Sequence, residues 1–93
     1  MAIEINSVLG QRENTHGDFS ENATLTMELL KTCKKQIEFS LLPKPIQFAI
    51  FMILHKISRA ICGDHKHNDH WIDIQGYASL AMKASHTGGF DID

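Results

Sequence analysis

Residues 42–63 read LPKPIQFAIFMILHKISRAICG, and their reading decides the fold. Pro43 and Pro45 each lack a backbone donor and push the preceding residue toward extended backbone, so no helix passes through this point. Pro45 suits the first position of a new helix, where its missing N–H costs nothing. From there apolar residues recur at helical spacing. At 100° per residue Ile46, Ile50, Ile53, Ile57 and Ile61 gather on one face, with Phe48, Phe51 and Met52 on the opposite side. Gly63 then stands where a glycine commonly follows a helix end. The stretch predicts a helix over 45–62 that is apolar on two sides, and such a helix is normally sandwiched. In so small a chain a second subunit is expected to cover one of those sides, which points to a homo-oligomer.

Upstream, Asp18-Phe19-Ser20-Glu21 has the spacing of a capping box and opens a helix. Its stripe is Phe19, Ala23, Met27, Leu30 and Ile37, widened by Leu25, Leu29 and Cys33, which predicts a helix over 19–39. Met1, Ile5, Val8 and Leu9 predict a short helix at the start, fraying into the polar residues 11–17. Downstream, the loop Asp64-His65-Lys66-His67-Asn68 leads into a helix over 69–85 with Trp71, Ile74, Ala78, Ala81 and Met82 as its inner stripe. Residues 86–93, with paired glycines, read as a mobile tail. The fold class is all-α: a bundle of three main helices (19–39, 45–62, 69–85) plus a short N-terminal helix, in one domain over 1–85.

Nine basic against eleven acidic residues leave a formal charge of −2, which argues against general nucleic-acid binding but leaves a local phosphate site open. Cys33 and Cys62 lie within apolar helical patterns and read as buried free thiols of a reducing cytoplasm. The opening MAIEINSVLG lacks the basic and long apolar regions of a signal peptide. The most apolar run, Ile46 to Leu54, is far short of the roughly 20 residues of a membrane span and is followed by His55, Lys56 and Arg59. No membrane contact is expected.

One region is chemically loaded. Lys56 and Arg59 are neighbours on one helix edge, and Asp69, Asp73 and Tyr77, spaced by four, share a strip on the next helix. Gly76 beside that strip removes a side chain and permits a close neighbour. A short loop makes the two helices antiparallel, so the strips face each other. Two readings follow. In one, Lys56 or Arg59 pairs with Asp73 and Tyr77 in a half-buried network that fixes helix register and adds little stability. In the other, Lys56 and Arg59 hold phosphate oxygens with Tyr77 beside them, and Asp69 and Asp73 hold Mg²⁺, completed by Asp18 and Glu21. Asp69 also reads as the N-cap of its helix. Cys62, His65, His67 and His70 form C-x2-H-x-H-x2-H, which matches no established zinc spacing, so a solvated polar loop is the plainer reading. His55, among Phe48, Phe51 and Met52, reads as a surface or interface histidine. No nucleophile elbow, phosphate-binding glycine loop or H-E-x-x-H is present, and no catalytic residue is assigned.

The run HKISRAICGDHKHNDHWIDIQGYASL, with HGDFSENA upstream, resembles a family of small uncharacterised helical proteins from phages and prophages. Its pattern, G-D-F-x-x-N-A, then H-K-I-x-R-x-x-x-G-D, then D-x-W-x-D-I-x-G-Y-A, is met here at Gly17, Asp18, Phe19, Asn22 and Ala23. It is met again at Lys56, Arg59, Gly63, Asp64, Asp69, Trp71, Asp73, Gly76 and Tyr77. More remotely the layout is similar to the MazG-type all-α nucleoside triphosphate pyrophosphohydrolases. That resemblance implies Mg²⁺ on acidic pairs and cleavage between α- and β-phosphates, with Asp18-x-x-Glu21 and Asp69-x-x-x-Asp73 standing in for the usual E-x-x-E and E-x-x-D. The expected function is a phage-type accessory protein in the host cytoplasm that binds a nucleotide or phosphate. The alternative is a counter-defence inhibitor, of anti-CRISPR or similar type, that binds a host protein complex.

Overall fold

Proline and glycine punctuation divides the chain, and helices fill the intervals. The computed structural model describes residues 13–87: a helical turn at 13–16, then α1 (Phe19–Lys34), α2 (Ile37–Leu41), α3 (Lys44–Cys62) and α4 (Asn68–Thr87). No strand occurs among the described residues, and the fold is all-α. The predicted helical stripe Met1, Ile5, Val8, Leu9 and the tail from 88 onward lie outside them.

Helix α1 starts as a capped helix should. Asp18 is extended, and its carboxylate accepts from the Glu21 N–H at 3.1 Å. The helix does not run to 39, however. It closes at Lys34, Gln36 takes an extended conformation, and a separate short helix α2 begins at Ile37. At 100° per residue a continuous helix would aim Phe39 about 220° away from Thr26, toward solvent. The break re-aims the ring inward. Phe39 is 8% exposed, and Ile37, which the periodic stripe placed inside, is 73% exposed.

Helix α3 begins one residue earlier than predicted, with Pro43 as N-cap and Pro45 within the first turn. It lies between its neighbours. Ser58 is fully buried and accepts from the Thr26 hydroxyl of α1 at 2.9 Å, while Lys56 pairs with Asp73 of α4 at 2.9 Å. Two residues apart means 200° round a helix, so α1 and α4 flank α3 on nearly opposite sides. They share no substantial contact with each other. By length and composition α3 is also long and apolar enough to cross a membrane. Here it is the middle helix of the fold, with Lys56 and Ser58 engaged on either side.

The inner faces are more polar than the apolar stripes predict. On α1 the buried residues are Asn22 and Thr26, while Phe19 and Met27 are exposed. On α3 they are Ala49, Ser58 and Ala60, and Ile61 of the isoleucine face is exposed. On α4 the inner line is His70, Asp73, Ile74, Tyr77 and Ala81, while Trp71, Ala78 and Met82 turn outward. The cause is hydrogen bonding. The small residues let backbones approach, and Thr26, Ser58 and His70 each have a hydrogen-bond partner worth roughly 1 kcal/mol net to keep. Helix α4 also runs to Thr87, two residues past the predicted end.

Two glycines lock the chain ends of this arrangement together. Gly17 has φ 83°, and a Cβ there would meet Cys62 backbone atoms at 2.5 Å. A Cβ on Gly63 would meet the Thr15 oxygen at 2.4 Å and the Gly17 nitrogen at 2.6 Å. Gly63 is therefore not the left-handed residue its position suggests, since its φ is −118°. Close backbone approach is what requires it. Gly76 differs from the expectation too: a Cβ there meets nothing within 4 Å, so no neighbour among the described residues uses the space.

Candidate functional site

The α3–α4 hairpin brings Lys56 and Asp73 together as the antiparallel reading requires. Lys56 is largely buried and Asp73 half-exposed. The Asp73 carboxyl is held below the usual carboxylate range, chiefly by the Lys56 hydrogen bond, then by the charges of Lys56, Arg59 and His70, against opposition from burial. A depressed carboxylate stabilises the fold above its unfolded value near 4 and loses that stabilisation as pH falls through the folded value. Asp73→Asn is therefore expected to lower the urea midpoint modestly at pH 7, by less than about 1 kcal/mol for so exposed a partner. The gap to the native chain should narrow as pH falls from the unfolded value near 4 through the lower folded one. A gap independent of pH would show that the ion pair is not its source.

The other residues of the predicted strip have separate partners. Tyr77 lies edge-on to Phe48, with ring centroids 6.4 Å apart. Asp69 follows the first residue of α4 and is not its cap, and its carboxylate is 3.4 Å from His67 Nε2. Asp18 is committed to capping α1, and Glu21 projects from the exposed side of the same helix. The four carboxylates proposed for Mg²⁺ thus do not converge. Among the described residues no three His, Cys, Asp or Glu side chains stand in a metal-holding arrangement.

The histidines regroup as well. His67 and His70 have centroids 5.0 Å apart and are joined by His16, at 5.8 and 5.3 Å, instead of by His65 or Cys62. His70 is 1% exposed and donates from Nε2 to the Thr15 carbonyl at 2.8 Å. That same oxygen accepts the Asp64 N–H at 3.0 Å. One carbonyl therefore ties the 13–17 turn to the α3–α4 loop. Trp71 closes the loop by donating to the His65 carbonyl at 2.6 Å. Cys33 and Cys62 are free thiols. Burial, with Glu21 and Asp18 nearby, raises the Cys62 value, which keeps it an unreactive thiol.

Arg59 points elsewhere than Lys56. With Glu13, His16, Gly17, Phe19, Asn22 and His55 it lines a cavity of about 510 Å³ between the 13–17 turn, the start of α1 and the end of α3. His55 and Arg59, one turn apart, share a face. Burial, then the charges of Arg59 and Lys56, lower the His55 value and keep its imidazole neutral at pH 7. Asn22 is 5% exposed, and its Nδ2 donates to the carbonyls of Asp18, at 3.0 Å, and His16. Its Oδ1 is buried without a hydrogen-bond donor among the described residues. An orphaned buried acceptor is costly and uncommon, and a ligand or water donor relieves it.

Of the residues singled out from sequence, only Arg59 belongs to this cavity. Glu13 and His16 were hidden in a stretch that reads as a polar fray, and His55 in one that reads as surface. A signal was present: the two quoted motifs, G-D-F-x-x-N-A and H-K-I-x-R, supply Gly17, Phe19 and Asn22 from one side and His55 and Arg59 from the other. A second, shallower groove runs along Ser20, Glu21, Thr24, Leu25 and Glu28 of α1 and offers no converging elements.

The chain belongs to the family described as Domain of unknown function (DUF6378), which matches residues 4–85. No curated protein and no solved structure matches it.

Proposed function

We propose that this member of the DUF6378 family binds a nucleotide or related phosphorylated small molecule in the cavity bordered by Arg59. The observation that carries this reading is the pairing of the Arg59 guanidinium with the orphaned Asn22 Oδ1 on one concave wall. A guanidinium has five donors in a fixed fork and can take phosphate oxygens bidentately while keeping another partner. Asn22 Oδ1 accepts from an N–H or O–H of the ligand, and a nucleobase amine or ribose hydroxyl supplies one. Phe19 and the neutral His55 offer ring faces at the same rim, suited to a planar base. The volume suits a molecule of that size. Glu13 is the one carboxylate of the wall; it favours a ligand hydroxyl or amine at its end and leaves the phosphate to Arg59.

This reading moves the ligand from the Lys56, Asp73 and Tyr77 strip to the neighbouring edge of α3, where His55 and Arg59 lie. It is a binding reading. Because Asp18, Glu21, Asp69 and Asp73 do not meet, no hydrolytic step is assigned to them, and Mg²⁺ enters only as a companion of the ligand's own phosphates. A phage-type accessory role in the host cytoplasm, and the remote kinship with MazG-type enzymes, agree with a nucleotide ligand and rest on the sequence resemblance. The rival counter-defence reading draws on the exposed apolar side chains near Phe48.

Titration calorimetry with nucleoside mono- and triphosphates and inorganic phosphate, with and without Mg²⁺, tests the proposal. Saturable heat is expected, weakened at least tenfold by Arg59→Lys, which keeps the charge and loses the fork. Phe19→Ala, at an exposed position, should weaken nucleotide but not phosphate. Absence of heat from every probe with a folded protein overturns the reading.

A further inference from the structure

We infer that a second copy of this chain packs twofold-symmetrically on the side of the fold that carries Phe48, Tyr77 and Leu80, and so roofs the Arg59 cavity. Ring contacts and the cavity wall run along that side. Phe19, His55 and Arg59 line the cavity, His55 stacks on Phe51 at 6.5 Å, and Phe48 meets Tyr77. Leu80 lies one turn beyond Tyr77 on the same strip, and Met27 shares the Phe19 side of α1.

Three observations name a second copy as the occupant. The first is area. Phe19, Met27, Phe48 and Leu80 are each more than half exposed, Phe19 at 82%. Together they leave roughly 500 Å² of apolar surface open, taking about 200 Å² for a large side chain. A monomer's largest apolar patch is about 300–600 Å². A standard interface takes about 800 Å² per partner, a little over half of it apolar. The open area matches that share.

The second is the interior. Phe39, Ala49 and Ala60 are the only apolar residues buried among the described residues. An obligate dimer interface resembles a domain core cut in half, and this chain has the half core. A partner that completes a core must be present whenever the chain folds. A second copy meets that condition, and a host target met only on infection does not.

The third is Gly76. A glycine inside a helix costs about 1 kcal/mol against alanine, yet among the described residues nothing comes within 4 Å of the place where its Cβ would stand. It lies between Asp73 and Leu80 on the helix surface, three residues from one and four from the other. A twofold partner's helix passing there uses the gap. The Lys56–Asp73 ion pair at this face is internally compensated, so an isologous contact does not set the Asp73 carboxylate unpaired against its copy.

Sedimentation equilibrium of the whole chain over a hundredfold concentration range tests the inference. Twice the 10.5 kDa of one chain is expected. Phe48→Asp and Gly76→Gln should each return the mass to one chain, while Met82→Asp, on the outer side of α4, should keep the pair. A Cβ at position 76 meets no atom of the described residues, so Gly76→Gln decides the matter where Phe48→Asp does not fold. A mass of 10.5 kDa throughout, or a pair that survives both variants, overturns the proposal. The interface stands on the side chains alone; only the roofing rests on the ligand reading. A dimer without nucleotide heat therefore sinks the ligand, and a monomer that binds nucleotide sinks the dimer.

Discussion

Gly17→Ala is expected to cost about 3 kcal/mol or more of folding stability, a large part of the roughly 5–14 kcal/mol a domain of this length holds. Two penalties add. At φ 83° an L side chain meets its own carbonyl, which costs about 1–2 kcal/mol. The new methyl also lands at 2.5–2.7 Å from Cys62 C, O and Cβ, closer than real methyl groups come. Backbone cannot rotate aside as a side chain does, so the turn must lift from the end of α3, and overpacking of this kind costs about 1–3 kcal/mol. Gly63→Ala separates the terms, because its φ is ordinary and only the clash remains. Urea unfolding should rank the native chain above Gly63→Ala, and Gly63→Ala above Gly17→Ala. Equal midpoints for all three would mean that the turn does not bear on α3 in solution.

Phe39→Ala should lose about 3–4 kcal/mol, the usual range for removing a buried ring. Ile37→Ala should lose little, since its side chain lies largely in water. The pair is diagnostic because apolar periodicity predicts the reverse order. A helix unbroken through 39 would bury Ile37 and expose Phe39. Midpoints ranking Ile37→Ala as the more damaging change would restore the unbroken helix and remove α2.

The contrast shows what could be read in the chain. Helix starts and stops were legible where a residue has one backbone role: Asp18 as a cap, Pro43 and Pro45 as a break. The Lys56–Asp73 pair was legible because a short loop forces its helices antiparallel. The inner faces were not. Periodicity counts apolar residues, and this seam is built from Asn22, Thr26, Ser58 and His70; the last three are held by partners 32 to 55 residues away, Thr26 with Ser58 and His70 with Thr15. The break at Lys35–Gln36 escaped for a related reason, since no proline or glycine marks it and tertiary packing of Phe39 decides it. The cavity escaped because its walls come from segments far apart in sequence, one of which reads as irregular.

The Thr15 carbonyl, with its two donors, has a consequence for the order of assembly. The helix–helix contacts of the described residues are mainly those of α3 with α4 and with α1, and pairs this close in sequence form early at small entropic expense. The Thr15–His70 bond closes a loop of 55 residues, which pays the largest chain-closure entropy in the described fold. The α1–α3 and α3–α4 pairings therefore precede it, and the turn docks onto a preformed pair of hairpins. The cavity beside Arg59 is therefore completed last in folding and is the first part to open when the native state breathes.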